Sequence, residues 1–435
     1  MIALAAALLL QVQAPMPARL GAPDTGAPAV TLREALRRAV GVDPEFIRTA
    51  GQVDVSEWGR RSAILAFVLP SLNVSLDATK FSDPFFNIGI GAPTDQAVNF
   101  RVNGAYEVIS LRKVAELGRS KAELEGAAAT AEQRRLQLAF EVERDFYDVL
   151  AAQALLRVAE NRAQRAEDQM QVARARVLSG AVVQTDSLQL ELELTQAAIE
   201  LLRRRAARDI SQLQLGRRVG EEGPVGAIAP DSLVPPPLLQ DDEALVRLAL
   251  QQGPQYRAAR AAEREAAKAL TAEKSAYLPS LNLTGGYTRF DDSFFPSGRE
   301  IGSVTLTASW PIWSLGQREV AVTQARVNRD VAHAIRADLE RAAWRDVTEA
   351  AMAYRISREA VELTRLQYEA ARETYRVQEL RYKSGANTIL DLLEAQFQLT
   401  NAEADVVQAL YALNLSRAGL EAVVGQPIFP GWTER

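Results

Sequence analysis

The chain contains no cysteine, and His333 is its only histidine. Without cysteine there are no disulfide bonds, iron–sulfur clusters, thiolate zinc sites or cysteine nucleophiles, and no lipid attachment through an N-terminal cysteine. One histidine is too few for a multi-His metal site, and its place among alanine and charged residues predicts an exposed surface side chain. No phosphate-binding loop, GxSxG, HExxH or calcium-loop motif occurs. The sequence therefore predicts no enzyme activity, no cofactor and no metal site.

Aromatic residues make up only 6% of the 435 residues, and the net charge of −5 provides no basic field that would attract nucleic acid. Beyond the N-terminus, no apolar run reaches the roughly 18 residues of a membrane-spanning helix. Apolar residues at 48% and charged residues at 24% argue against a disordered chain. The abundance of alanine and arginine favours long helices.

The N-terminus has two features that predict export and processing. Residues 2–10 form an apolar run, and Val-Gln-Ala at 12–14 resembles a cleavage site with small residues. Residues 1–14 are therefore expected to be a secretory signal, although no basic residue precedes the run and a flexible apolar start is the alternative. Residues 15–30 are rich in proline, glycine and alanine and are expected to form a disordered leader.

Sequence landmarks occur twice in the same order, which indicates an internal duplication. Leu-Pro-Ser-Leu-Asn at 69–73 recurs at 278–282, Ser-Gly-Ala at 179–181 recurs at 384–386, and Val-Gly at 219–220 recurs at 424–425. The repeats are predicted at 31–220 and 241–425, joined by a proline-rich linker at 221–240 and followed by a tail at 426–435. Each copy reads as short helices, two strands, a long helix, a glycine turn and a second long helix.

Each copy contains two segments in which apolar and polar residues alternate with period two, as in a β-strand. Each segment is about 10 residues long, which suffices to cross a bilayer when tilted. Aromatic residues flank the segments at both ends, as expected for membrane-interface contacts with outer-membrane lipid. These aromatics are Phe85, Phe86, Phe294 and Phe295 at the loop end, and Tyr106, Trp310 and Trp313 at the other end. The alternative is a soluble sheet with one buried face.

Four strands cannot close a barrel alone, and lipid does not tolerate open sheet edges. The smallest bacterial barrels have about eight strands, so the strands must come from several chains. A symmetric trimer would supply twelve. The loops at 82–96 and 291–299 are then expected to face the exterior.

Two very long helices are predicted at 111–178 and 315–383 because no proline interrupts them. At 1.5 Å per residue each would be about 100 Å long, which suits a coiled coil rather than a compact domain. Turns at Gly180 and Gly385 would fold each helix back as an antiparallel hairpin. Apolar and small residues at 3-4 spacing predict the packing seams. The seams run from Leu156 to Val177, Leu188 to Ala206, Val361 to Tyr382, and Leu390 to Tyr411.

At this point the chain resembles the TolC-like outer-membrane efflux protein family. The resemblance rests on the repeated motif at 69–73 and 278–282, Trp-Pro-Ile-Trp at 310–313, the stretch 381–396 and the closing residues 420–425. It implies a mostly α protein with a transmembrane β-barrel: a homotrimer whose twelve-stranded barrel sits in the Gram-negative outer membrane on a helical periplasmic tunnel. It also implies partners, namely a periplasmic adaptor (membrane fusion) protein and an inner-membrane pump, and export of small molecules or polypeptides.

The resemblance assigns a pore aperture to Asp391 and Glu394, which are three residues apart and share a helix face. Stacked acidic rings would repel, which would raise the pKa values of the carboxylates and attract cations. The alternative is an ordinary solvated acidic face.

The resemblance also assigns a closing network and docking tips. Tyr382 and Asp186 match a tyrosine–carboxylate contact between tip helices. Thr185 matches a second contact, but Asn387 stands where the family usually has a basic residue. The adaptor-docking tips are Gly180, Ala181, Val182, Gly385 and Ala386. For Tyr382 the alternative is a simple seam residue, and for the glycines it is ordinary helix-turn chemistry.

Two other protein classes share part of this pattern. A periplasmic coiled-coil adaptor would have one helical hairpin flanked by compact β domains, whereas this sequence predicts two hairpins and strands with aromatic ends. A structural coiled-coil protein without a pore would need neither the strands nor the export signal.

Overall fold

The computed structural model describes residues 27–87, 91–178, 184–230, 232–291 and 300–429. Helices dominate these ranges. They are α1 (Leu32–Val42), α2 (Pro44–Val68), α3 (Leu111–Leu178), α4 (Gln184–Val219), α5 (Asp242–Gln252), α6 (Pro254–Lys274), α7 (Gln317–Lys383) and α8 (Ile389–Val424). The strands are β1 (Ala29–Val30), β2 (Ser71–Asn87), β3 (Ala92–Ile109), β4 (Gly226–Ala227), β5 (Ser280–Asp291) and β6 (Glu300–Ser309), and a short 3-10 helix spans Ser275–Tyr277.

The chain divides into two compact units. One consists of the chain up to Ala35 together with Asp145–Asp231, so it contains α4 and the second half of α3. The other consists of Leu36–Arg144 and Ser232–Arg435 and contains the four-stranded sheet, α7 and α8. The compact units therefore do not coincide with the sequence repeats at 31–220 and 241–425.

The four long strands of both repeats form one antiparallel sheet in the order β2-β3-β5-β6. The pairing of β3 with β5 joins the two repeats, and β2 and β6 are the edges of the sheet. The first two strands, of 17 and 18 residues, are longer than predicted. The pairing of β2 with β3 has an irregularity between Lys80 and Phe85, which interrupts the apolar–polar alternation. The two strands pair again beyond it, as far as Asn87 and Ala92, and this second part was not predicted. The connection is therefore much shorter than the predicted loop 82–96, and residues 292–299 lie outside the described ranges.

The register gives the sheet one apolar and one polar face. Val74 pairs with Val102, which pairs with Tyr287, while the neighbouring row aligns Asn73 with Asn103. Most of the apolar face is exposed, and along the edge strands the relative exposures are 73% for Leu72, 62% for Val74, 80% for Val304 and 61% for Leu306, whereas Val98 of β3 is buried. This contradicts the alternative of a soluble sheet with one buried face, because the face that should be buried has no cover in the protomer.

Helices α3 and α7 begin and end close to the predicted bounds. The described part of the predicted α3 seam is largely buried, whereas in α7 only the two ends of the predicted seam are buried and the positions between them are partly buried. Leu156, Ala166 and Ala173 of α3 and Val361 and Tyr382 of α7 are each less than a tenth exposed. An uninterrupted run without proline is the simple reason that both helices reach this length.

The seam predicted for α4 is wrong as a contact within the protomer, because all its positions are exposed. In α8 two of the predicted positions are exposed and the other five are partly buried. Leu188 and Leu192 of α4 are 60% and 59% exposed, and Leu390 and Phe397 of α8 are similarly exposed. The buried positions are instead Leu190 and Ala197 of α4, and Ile389, Leu392 and Leu399 of α8. Each of these helices carries two apolar stripes, and the sequence pattern does not tell which one packs inside the protomer.

Helices α2 and α6 each begin at a proline, Pro44 and Pro254, which suits the first helical turn because the missing N–H has no helical partner there. Asp43 caps α2 because its carboxylate accepts a hydrogen bond from Phe46 N at 2.6 Å. The same carboxylate pairs with Arg134 of α3 at 2.9 Å, which ties the start of α2 to the long helix.

The end of the expected leader and part of the expected linker are ordered. Ala29–Val30 pair in parallel with Gly226–Ala227, and Val30 and Ala227 are buried. Farther along the linker, the Tyr354 hydroxyl donates to Pro236 O at 2.5 Å, and Asn414 Nδ2 donates to Leu233 O at 2.7 Å. Backbone groups in both segments thus find partners that composition alone does not reveal.

Among the described residues, no helix combines the length and the apolar character needed to cross a membrane.

Candidate functional site

The turn after α7 is a glycine-dependent helix end at one of the predicted tips. Gly385 has a left-handed φ of +76°. Its N–H donates to Tyr382 O at 3.0 Å, and the N–H of Ala386 donates to Arg381 O at 2.8 Å, which is the Schellman pattern. Gly385 and Ala386 are exposed, so both are accessible for docking. Gly180, Ala181 and Val182, at the other predicted tip, lie outside the described residues.

Helix α8 starts with a reciprocal cap that uses one of the two predicted aperture carboxylates. Thr388 Oγ1 accepts from Asp391 N at 3.3 Å, and Asp391 Oδ2 accepts from Thr388 N at 3.0 Å and from Thr388 Oγ1 at 2.8 Å. The hydrogen bond from the Thr388 hydroxyl, followed by that from its backbone, lowers the pKa of Asp391. In the protomer capping thus favours the charged form of Asp391. The rise in pKa expected for carboxylates gathered in a trimer stays a prediction.

Glu394 lies one turn further along α8 and is also exposed. Its Oε1 accepts a hydrogen bond from Gln398 Nε2 at 2.8 Å. Because Asp391 and Glu394 are three residues apart on one helix, their carboxylates project from the same side. That both line a pore stays a prediction.

The four residues predicted to close the tip have different surroundings. Tyr382 is buried at 5% exposure. Asn387, in the turn between α7 and α8, donates through Nδ2 to Gln378 Oε1 at 2.7 Å and to Gln378 O at 3.3 Å, so its amide binds the C-terminal end of α7. Asp186 lies partly buried in the first turn of α4, and the side chain of Thr185 lies outside the described part of the structure. The contact of Tyr382 with Asp186 stays a prediction.

Among the predicted interface aromatics that the structure describes, some make hydrogen bonds through their polar atoms and some have exposed rings. The Tyr106 hydroxyl donates to Phe67 O at 2.9 Å, and Trp310 Nε1 donates to Tyr277 O at 3.2 Å. Trp310 and Trp313 are 63% and 79% exposed, and Phe85 and Phe86 are also exposed. Exposed rings with satisfied polar atoms suit an interface that is apolar on one side and wet on the other. The side chains of Phe294 and Phe295 lie outside the described residues.

Within the described ranges, no group of three or more His, Asp or Glu side chains could hold a metal ion. His333 lies on the surface as predicted, but it has a partner that the sequence did not reveal. Its Nδ1 is 2.6 Å from Glu263 Oε1, and Arg336 Nε is 2.5 Å from the other oxygen of that carboxylate. The hydrogen bond with His333 and the pairing with Arg336 lower the pKa of Glu263.

One charged cluster was missed altogether from the sequence. Arg417 is completely buried and contacts the carboxylates of Glu143 and Glu421. A signal was present, because Arg417 lies between the apolar residues Leu413 and Leu420 on the inner face of α8. Nothing in the local sequence identifies its partner in α3.

Comparison with known proteins connects this architecture to exporters. A family model described as "Outer membrane efflux protein" matches residues 62–221 and 245–426. The chain is 23% identical over 339 residues to the "Probable efflux pump outer membrane protein TtgC" of Pseudomonas putida KT2440, covering 76% of this chain and 68% of the relative. The "Antibiotic efflux pump outer membrane protein ArpC" of Pseudomonas putida matches equally well.

Solved structures share the fold across nearly the whole chain. The outer-membrane channel OprN superposes with a TM-score of 0.76 at 18% identity, covering 92% of this chain and 91% of the other. The CmeC outer-membrane channel of Campylobacter jejuni superposes with a TM-score of 0.77 at 15% identity, covering 91% and 85% of the two chains. These comparisons give no support to an adaptor or a structural protein without a pore. Because the family match spans both repeats, the chain belongs to the outer membrane efflux protein family.

Proposed function

We propose that three copies of this chain form an export channel, in which a shared twelve-stranded barrel crosses the outer membrane and α3, α4, α7 and α8 line a periplasmic tunnel. The observation that carries the proposal is the sheet of the protomer. It has an uncovered apolar face and two edge strands, β2 and β6. Pairing β6 of one copy with β2 of the next would remove every edge and leave the apolar face to lipid.

The exposed stripes on α4 and α8 support the same assembly. Leu188, Leu192, Ile199 and Leu202 are each about half exposed or more and follow 3-4 spacing along α4. A seam of this kind without a partner in its own chain fits a helix of a neighbouring subunit. The seams of α3 and α7 would then hold the protomer together, while those of α4 and α8 would hold the trimer together.

Charged substitutions on the α4 stripe should prevent trimer formation. We expect the double variant Leu192→Asp, Ile199→Asp to lose the trimer-sized band on unheated gels, because it buries two carboxylates at the subunit contact. Ala198→Asp introduces one such charge at an exposed position beside the stripe and should keep the band. A trimer that forms unchanged in the double variant would contradict this use of α4. Recovery of the wild-type chain as a soluble monomer, without outer membranes, would contradict the channel itself.

At the periplasmic end, the proposal assigns the aperture to Asp391 and Glu394. Tyr382 would hold the tip closed through Asp186, with Thr185 and Asn387 alongside. The hairpin turns at 180–182 and 385–386 would dock on a periplasmic adaptor that connects to an inner-membrane pump. Relatives from Pseudomonas putida are named for antibiotic efflux and for toluene efflux, so small apolar or amphipathic molecules are the proposed cargo.

Neutralising the aperture should weaken cation binding in the pore. We expect Asp391→Asn combined with Glu394→Gln to reduce block by divalent cations in planar bilayers and to raise the single-channel leak, because two rings of negative charge are lost. Glu394→Gln alone should give part of this effect without touching the Thr388 cap. The matched control is Glu362→Gln, which removes a carboxylate at an exposed position of α7 about 20 residues before the end of that helix. Equal block in the double variant and the control would show that these carboxylates do not face the pore.

A further inference from the structure

The apolar face of the four-stranded sheet contains a shallow groove with a volume of about 460 Å³. Three glycines lie at its base and three larger side chains stand around them: Gly104, Gly285 and Gly302, and Leu72, Tyr287 and Val304. The strand register explains this shape. Leu72 pairs with Gly104, Gly104 with Gly285, and Gly285 with Val304, so one row across the sheet has a side chain at each edge and none in the middle.

Nothing in the described part of the chain requires glycine at Gly285 or Gly302. Neither has a positive φ, and the pairing of β5 with β6 passes through both without a bulge. A Cβ atom added to either would have no described heavy atom within 4 Å beyond its own chain neighbours. Because glycine weakens the interior of a strand, its use without a bulge or bend marks a place where a ligand or another backbone comes close.

On β5 and β6 the groove ends at a charged pair on the side away from the helices. The next pair of residues on the same face is Arg289 with Glu300, and the Tyr287 hydroxyl donates to Glu300 Oε2. In the other direction the face stays apolar, because Leu283 pairs with Leu306 and both are exposed. A molecule in the groove would therefore have polar partners at one end and apolar partners along the rest of its length.

We infer that this groove binds one acyl chain of a lipid in the exterior leaflet of the outer membrane. The inference rests on the proposed channel function, which turns the apolar face toward lipid and the ends of the strands at Arg289 and Glu300 toward the exterior. An extended acyl chain is apolar along its length and has a polar head group at one end, which is the order of the groups along the groove. Inside a bilayer, small residues that permit close packing determine where a molecule is held.

A neighbouring subunit is the other candidate occupant, and its position in the barrel argues against it. Subunits that pair β6 with β2 meet edge to edge, so each lies beside the sheet of the next and not on top of its apolar face. Gly285 is on β5, an inner strand of the sheet, and edge pairing leaves it without a cover from protein. The space above Gly285 and Gly302 is then filled by lipid.

Native mass spectrometry of the full assembled protein, extracted from outer membranes in a mild detergent, tests this site. The wild type should retain one lipid molecule per subunit, with the mass of lipopolysaccharide, the lipid of the exterior leaflet. The double variant Gly285→Val, Gly302→Val fills the groove. It should reduce lipid retention about tenfold, because overpacking a site typically weakens binding by at least that factor.

Gly286→Val is the matched control, because it makes the same substitution at the next residue of β5. The backbone of Gly286 borders the groove, but an added side chain would project from the polar face of the sheet. Its Cβ atom would meet Ser303 Oγ at 3.3 Å and Asn103 Oδ1 at 3.4 Å, two side-chain ends that can move aside. This variant should retain lipid like the wild type.

The outcomes separate failure of the lipid site from failure of the channel. A wild-type trimer without bound lipid would overturn the site, and so would equal retention by the groove variant and the control, or a bound lipid with the mass of a phospholipid. Loss of the trimer in the groove variant alone would show that a neighbouring subunit fills the groove. If both variants fail to assemble, the wild-type measurement decides. Absence of a trimer in the wild type would instead contradict the proposed function.

Discussion

Replacing Arg417 with methionine is expected to destabilise the protein by about 3–5 kcal/mol, the cost typical of removing one partner from a buried ionic group. The guanidinium is fully buried and is the cation held between Glu143 and Glu421. Without it, the two buried carboxylates lose the guanidinium that both of them contact. The loss should be smaller at acidic pH, because burial raises the pKa of Glu143 to about 7 and its protonation removes the repulsion from Glu421.

The midpoint of thermal unfolding, followed by the helical circular dichroism signal at two pH values, measures this effect. Arg376→Met is the matched control because Arg376 also pairs with a carboxylate, that of Glu373 at 2.6 Å, but both side chains are exposed. Exposed pairs contribute little to stability, so the control should unfold like the wild type. Equal midpoints for the two variants would mean that the buried pairing does not stabilise the fold.

Replacing Gly425 with alanine should destabilise the protein by about 2–4 kcal/mol, the sum of left-handed strain and overpacking. Gly425 ends α8 with a φ of +84°. A Cβ atom at this position would lie 2.5 Å from Pro254 Cδ and 2.8 Å from Gly253 Cα. These atoms belong to the start of α6 and to the backbone, so they cannot move aside as the end of a flexible side chain can.

Gly385→Ala provides the comparison for Gly425→Ala. Gly385 has nearly the same backbone conformation, with a φ of +76°, but no atom lies within 4 Å of an added Cβ. Only the left-handed strain then remains, about 1–2 kcal/mol. The difference between the two unfolding midpoints isolates the close approach of α8 to α6. If both variants lost the same stability, the contact with Pro254 would not matter.

The long helices could be predicted closely because one local property determines them. No proline falls inside 111–178, and α3 spans those residues to the end. The strands were predicted in place but not in length, because β2 and β3 continue beyond an irregularity at Lys80 that breaks the alternation. Pairing with a neighbour sustains a strand where its own pattern fails, and a single sequence does not show the neighbour.

Packing partners were the part that the sequence could not supply. The apolar spacing of α4 is real, yet it marks a face that the protomer leaves exposed, while Leu190 and Ala197 face inward. Similarly, Arg417 stands out among apolar neighbours, but its partner Glu143 is 274 residues away. At the tip, the sequence identified Asp391 as a candidate site residue. It did not show that Asp391 caps α8, because the cap depends on the local backbone geometry at Thr388.

The free edges of β2 and β6 make newly exported chains vulnerable. Until it meets another copy, each protomer exposes two rows of unpaired backbone donors and acceptors next to a large apolar surface. Other proteins with exposed strand edges or apolar patches can bind there. Correct assembly thus depends on whether a protomer meets other copies of the chain faster than it associates with the wrong partners. The amount of functional product should therefore depend on how fast chains are delivered, and overproduction should favour aggregates.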